Sequence, residues 1–370
     1  MKIALVHDYL KEPGGAEAVL AAFKEIWPEA PVYTAFKFPK FWGRMAGVMS
    51  KWEIHESWGK YLPFLPNWIS YYTAISPKFF SSMDLSDFDV VIVSQTGGYF
   101  PNAVKIGPQT KLITYCHTPP RFLYGYPTAT SARYKWYWRP VSAAVNHFLR
   151  MTDFELAQRP LAFIANSKNV ANRIRKFYRR EAEVVYPPIE GVRDFKKAEK
   201  GDYFLIISRI VGSKNIELAV AAANKYKFKL KIAGRPIGAS GKEIVSKING
   251  QMVEYLGEVS EQRKAELLAQ AKGFLALEAE ADFGMTTVEP QMYGMPVVAF
   301  RKGGYLETVE GNKTGVFVNE LTLEGVNAAI IKFNKLKWNT EYIKKQAKRF
   351  SKEEFKKRMV ELVSKYAGTA

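Results

Sequence analysis

Glu278-Ala-Glu-Ala-Asp-Phe-Gly-Met-Thr-Thr-Val-Glu-Pro-Gln-Met-Tyr-Gly-Met-Pro-Val-Val-Ala-Phe300 reads as a strand end, a tight acidic loop and a short helix, with a Gly294-Met295-Pro296 turn leading into a second buried strand. Gly284 permits backbone conformations that bulkier residues resist, so the loop can bring its amides close to a ligand. Those amides, at Met285 and Thr286, point out of the first turn of a helix, which suits an anion or an array of hydroxyls. Glu289, further along the helix, is placed to accept hydrogen bonds from the same ligand. An acidic loop with a solvated carboxylate fits the same pattern.

Outward from this stretch, strands and helices alternate in the order expected of a doubly wound sheet. Gly273–Leu277 feeds the loop. Upstream, Tyr203–Ile207 is a buried strand delivering Arg209 and Lys214 around a glycine. A guanidinium and an ammonium at a strand's carboxyl end can hold a diphosphate that leaves as an anion. As a structural ion pair they would want acids nearby, and only Glu217 follows at once. The polar run 191–202 reads as a linker. It divides a first domain, 1–190, from a second, 203–350, with an amphipathic helix over 351–370.

The first domain opens with the strand Lys2–Val6, then His7-Asp8 and the loop Pro13-Gly14-Gly15 entering a helix. That loop is a weak dinucleotide signal; a phosphate-approach loop and a plain tight turn fit it equally. Val90–Val93 ends in the glycine loop Ser94–Tyr99. Asp87-Phe88-Asp89 precedes that strand, so it sits at the amino end, away from where such sheets bind ligands. Lys111–Cys116 delivers His117-Thr-Pro-Pro-Arg121 at its carboxyl end. Cys116 and His117 are adjacent in extended chain and point to opposite faces, which argues against a Cys/His nucleophile pair.

The acidic residue, Asp282-Phe283-Gly284, Glu289 and Gly294-Met-Pro-Val-Val298 together resemble the donor-sugar signature of the retaining GT-B glycosyltransferases of family 4. The resemblance runs over almost the whole chain and is most specific in residues 203–318. It implies an α/β fold of two Rossmann-like domains facing an interdomain cleft, the last helix returning to the first domain. It implies a nucleotide-sugar donor held by Arg209, Lys214, the 282–286 loop and Glu289, with the base against backbone near Leu256. The Gly14-Gly15 loop then approaches the donor diphosphate, and His117 lies beside the transferred sugar. The segment 117–121 is also similar to members handling GDP-mannose. No cofactor and no metal are expected.

One position departs from the signature. Two glutamates with seven residues between them flank the family's loop, and here the first falls on Ala281. A methyl group cannot accept hydrogen bonds from sugar hydroxyls. An introduced Glu→Ala replacement, a shift of the role to Glu280, and a non-catalytic relative all fit this sequence.

Bulk properties bound the alternatives. The chain has 370 residues, one cysteine and a formal net charge of +18. One cysteine excludes an internal disulfide framework and fits a reducing cytoplasm. No apolar run is long enough to span a bilayer. The positive surplus favours anionic lipid, phosphorylated small molecules or nucleic acid. Nothing resembles a zinc-ligand pair, an RNP strand or a basic-heptad region, so a nucleic-acid-binding protein is the weakest reading. Residues 40–80, with Lys51 and Trp52, and the run Arg133–Arg139, with Trp136 and Trp138, interleave aromatics with cations as membrane-interface segments do. With Arg121 they are expected to meet a lipid-linked glycan acceptor at the inner membrane face, the protein being cytoplasmic and peripheral.

Overall fold

The computed structural model describes residues 1–128, 139–191, 199 and 201–368. They divide into two units, Met1–Pro188 with Lys352–Ala370, and Ile189–Ser351.

In the first unit, β1 (Ile3–His7), β2 (Val32–Thr34), β3 (Ile54–Glu56), β4 (Val90–Gln95), β5 (Lys111–Cys116), β6 (Ala162–Ala165) and β7 (Ala182–Val184) form one sheet. Its order is β3-β2-β1-β4-β5-β6-β7, and every pairing is parallel. Sequence pattern explains the arrangement. Along β1, Ile3 and Leu5 enter one apolar cluster while Ala4 and Val6 enter another on the opposite face. A strand apolar on both sides needs cover on both, which the crossover helices of a parallel sheet supply. The helices are α1 (Gly15–Ile26), the short α2 (Ala46–Met49), α3 (Leu65–Trp68) and α4 (Ser76–Ser81), then α5 (Arg139–Leu156) and α6 (Lys168–Tyr178). Ser167 caps α6, its Oγ accepting from the Val170 amide at 3.0 Å.

The second unit repeats the logic. Its sheet comprises β8 (Phe204–Ile207), β9 (Leu230–Ala233), β10 (Val253–Tyr255), β11 (Gly273–Ala276), β12 (Val297–Phe300) and β13 (Gly315–Val318). The order is β10-β9-β8-β11-β12-β13, again parallel. Around it lie α7 (Ile216–Tyr226), α8 (Gly238–Ser246), α9 (Glu261–Gln270), α10 (Met285–Met292), α11 (Tyr305–Thr308), α12 (Leu323–Lys335) and α13 (Thr340–Ala347). Strand order reverses between β8 and β11, where open sheets of this kind bind ligands.

The chain closes with α14 (Lys352–Ala367), which belongs to the first unit. Phe355, Met359, Leu362 and Val363 enter the same cluster as Leu5 and Phe23. The Phe355 ring stands 5.5 Å from Phe23 and 5.8 Å from Tyr115. Lys352 donates to Glu25 of α1 at 2.6 Å, and Lys356 pairs with the same carboxylate.

Candidate active site

Beyond β8, a single 3-10 turn, Gly212–Lys214, is closed by Asn215 in the left-handed conformation, φ 52°. The Asn215 side-chain amide donates to the Leu277 carbonyl at 2.7 Å, tying this turn to the end of β11. Lys214 Nζ consequently lies 2.5 Å from the Glu278 carboxylate, and both side chains are largely buried. This partner is 64 residues away, which is why a search of the local sequence found only Glu217. Glu217 instead faces Lys247, at 3.3 Å. Ser208, Lys214, Glu278, Thr286 and Tyr305 line a small cavity here. The Tyr305 phenol is buried against the Thr286 side chain and the Glu278 backbone, and burial pushes its pKa well up.

Gly284 opens α10 with φ 94°, and a Cβ on it would stand 2.6 Å from the Tyr305 ring. Both facts require glycine. Thr287 Oγ1 donates to the Gly284 carbonyl at 2.7 Å, which fixes the first turn. The helix thus presents its amino end beside an ammonium, an arrangement suited to an anion.

The remaining residues anticipated in this unit sort differently. Arg209 is exposed just beyond β8. Glu289 is paired with Lys264 of α9, and Glu280 lies 2.5 Å from Lys302. Asp282, Met285 and Thr286 are half-buried around the start of α10. Ala281 is 1% exposed and packs in one cluster with Met295 and Tyr305; its carbonyl accepts from the Gly304 amide at 2.9 Å. Two of the anticipated residues have groups committed within the fold. The Phe283 ring is a core group, buried 5.3 Å from Phe350. The Leu256 amide is committed to the Ile232 carbonyl at 2.8 Å, a bond of the β9–β10 ladder. Neither Lys264 nor Lys302 had a local sequence signal, and Glu278 was legible only as part of the acidic loop.

In the first unit, the carboxyl ends of β1, β4 and β5 place His7, Ser94 and His117 in one polar chain. Ser94 Oγ lies 3.1 Å from His7 Nδ1 and 2.9 Å from His117 Nε2. His7 Nε2 has no hydrogen-bond partner among the described residues and faces Glu17 of α1 at 3.7 Å. Chemistry orders the protons. Ser94 Oγ has one hydrogen, so it can donate to only one of these two nitrogens, His7 Nδ1 and His117 Nε2, and accepts where the other carries a hydrogen. When Ser94 donates to His7 it accepts from His117 Nε2–H, and His117 Nδ1 then carries the lone pair. Burial, reinforced by the nearby His7, lowers the His117 pKa to about 3. The ring is neutral at physiological pH and can accept a hydroxyl hydrogen.

Beside this chain, buried Asp8 pins the glycine loop. It accepts from Thr96 Oγ1 at 2.6 Å and from the amides of Thr96, Gly98 and Tyr99 at 3.2, 3.0 and 2.9 Å. Burial raises the Asp8 pKa against those bonds and against the adjacent His7. Gly97 has φ 78°, and a Cβ there would stand 2.7 Å from the Thr118 carbonyl. Gly14, by contrast, is extended and exposed at the entrance to α1, so its φ of −145° does not demand glycine. Gly15 begins that helix, also exposed. His117, the pair His7-Asp8 and the Ser94–Tyr99 loop were legible at strand ends, but the link from Glu17 through His7 and Ser94 was not.

The family model described as Glycosyltransferase Family 4 matches residues 49–191, and the one described as Glycosyl transferases group 1 matches residues 190–353. The chain is a group 1 glycosyltransferase. A similar curated relative is the alpha-1,3/1,6-mannosyltransferase ALG2 of Dictyostelium discoideum, 24% identical over 299 residues, 67% of each chain. The corresponding Rhizomucor pusillus protein is 24% identical over 305 residues, covering 67% of this chain and 64% of its own. Among solved structures, Anabaena Alr3699/HepE with UDP and glucose superposes with a TM-score of 0.68 at 17% identity, covering 98% of this chain and 99% of its own. The lipopolysaccharide outer core galactosyltransferase WaaB gives 0.66 at 14%, with the same coverage. These likenesses, with the two parallel sheets, show the GT-B fold.

The residues anticipated on the acceptor side of this glycosyltransferase are scattered. Lys51 is exposed and Arg121 half-buried. Trp52 packs half-buried against the first unit's core, so its ring is not the projecting group expected. Trp136 and Trp138 lie outside the described residues. Among the described residues of the 40–80 segment, the aromatics that project are Phe41, Trp58, Tyr61, Phe64, Trp68 and Tyr71. Among the described residues no helix is long and apolar enough to cross a membrane.

Proposed function

We propose that this glycosyltransferase moves a hexose, best read as mannose from GDP-mannose, from a nucleotide sugar to a lipid-linked or polysaccharide acceptor at the cytoplasmic membrane face, retaining anomeric configuration. The observation that carries the donor half is the Lys214–Glu278 pair beside the amino end of α10. A diphosphate can replace the Glu278 carboxylate as partner of Lys214, and exposed Arg209 adds a second cation. Together they stabilise charge on the departing nucleoside diphosphate without a metal. Glu289, released from Lys264, would take the ribose hydroxyls. In the first unit His117 Nδ1 accepts from a sugar hydroxyl. Mannose is supported by the relatives' names and by residues 117–121; the nucleotide-sugar class is supported by Alr3699/HepE solved with UDP-glucose.

Ala281 bears on turnover. Its buried methyl offers the sugar nothing, while the diphosphate contacts remain, so the chain should bind donor and transfer slowly. A thermal-shift panel of nucleotide sugars tests binding, since a native-state ligand at a hundred times its Kd adds about 2.7 kcal/mol. Radiolabel transfer with Ala281→Glu tests turnover, and the expected gain is on the order of a hundredfold. An unchanged rate would defeat this reading of the position. Ala281 also favours a second reading, a relative that binds nucleotide sugar without transferring it. Calorimetric binding with no transfer by either protein would establish that one.

A further inference from the structure

Helix α5 faces the wrong way for a helix that covers a sheet. Its inward side carries Ser142, Asn146, Arg150 and Asp153 beside Leu149 and Leu156. Its outward side carries Val141 (53% exposed), Val145 (41%), Phe148 (66%), Met151 (50%) and Phe154 (36%). At 3.6 residues per turn these fall on one broad arc, shared with Ala143 and Ala144 and interrupted by His147, Thr152 and Glu155.

Polar bonds hold this orientation. Asp153 accepts from Tyr124 at 2.8 Å and from Tyr178 at 3.2 Å, and Arg150 donates to the Leu123 carbonyl at 3.2 Å. Rotating α5 to bury Phe148 would break all three and leave Asp153 without partners. The apolar arc is committed to whatever lies outside, and an exposed patch of this kind marks an interaction surface.

Charge decides the occupant. No Asp or Glu occurs between Asp89 and Asp153, a stretch that includes Lys111 and Arg121. None occurs between Glu56 and Asp84 either. That second stretch exposes Tyr61, Phe64, Trp68 and Tyr71, with Lys60 Nζ 5.0 Å over the Tyr61 ring. Tyr and Trp beside Lys is the composition of a membrane–water interface. A second copy of a +18 chain would bring like charges together, whereas an anionic leaflet attracts them.

We infer that α5 is an in-plane membrane-binding helix that sets Phe148 and Met151 into an anionic lipid leaflet. Eighteen residues make a helix about 27 Å long, and its bonded inner face keeps it lying on the surface rather than crossing. The surface itself rests on burial and charge; only its purpose, access to a lipid-linked acceptor, rests on the function proposed above.

Sedimentation of the full chain with phosphatidylcholine vesicles, with and without phosphatidylglycerol, tests the idea. Binding should require the anionic lipid, and F148S/M151S should lower the partition coefficient on the order of tenfold or more. Its thermal midpoint should stay unchanged, because both side chains are exposed in the fold. In a Phe148→Trp variant, emission should move to the blue with anionic vesicles. Unchanged partitioning in the double variant overturns the inference. So does a double variant that loses self-association while still binding vesicles, which would make a second copy the cover. Vesicle binding by a chain that binds no nucleotide sugar would sink the proposed function and leave this surface standing.

Discussion

Ser94 shares one hydroxyl between two histidines, and at the residue scale that hydroxyl fixes which nitrogen of His117 is free. Glu17 stands 3.7 Å from the far ring nitrogen of His7 and favours a hydrogen there. Ser94→Ala cuts the chain without touching the ring. In nitrogen-15 NMR, His117 Nδ1 should show the unprotonated signature in the parent, and the variant should show a mixture of tautomers. A parent already mixed would rule out the assigned proton order. The lesson of Lys214 is similar. Its cation was legible from the strand end it follows, but its carboxylate was not, because Glu278 arrives only when β8 and β11 become neighbours.

At the scale of elements, the strands and their turns were readable from apolar runs and glycines. β1, β4, β5, β8, β11 and β12 lie where the runs placed them. Helix faces were less readable, and α5 shows why: a sequence pattern gives a stripe but not the side on which the protein lies. Asp153 makes the point measurable. Buried, it is pushed up to about 7 despite the bonds from Tyr124 and Tyr178. Between about pH 4 and 7 the folded chain therefore holds a proton that the unfolded chain has lost, and stability falls as pH rises through that window. Asp153→Asn keeps an acceptor and removes the ionisation. Unfolding free energies from urea titrations at pH 5 and pH 8 should differ by roughly 2–4 kcal/mol less in the variant than in the parent. Equal slopes would mean the carboxyl titrates normally.

At the scale of the whole molecule, the last helix is spent on the first unit. Phe355 is 2% exposed and touches the rings of both α1 and β5. Phe355→Ala should cost about 3–5 kcal/mol, read in calorimetry as a lowered transition for the first unit with the second unmoved. One common shifted transition would show instead that the units unfold together. The sequence by itself determined the alternation of buried strands and helices, the glycine loop opening α10 with alanine at position 281, and the surplus of positive charge, because each is local in the chain. Tertiary structure alone decided the partners of Lys214, Glu280 and Glu289, the chain from Glu17 to His117, and the outward turn of α5. Those depend on residues far apart in sequence being brought within a few ångströms by sheet order and helix packing, and no local pattern encodes that.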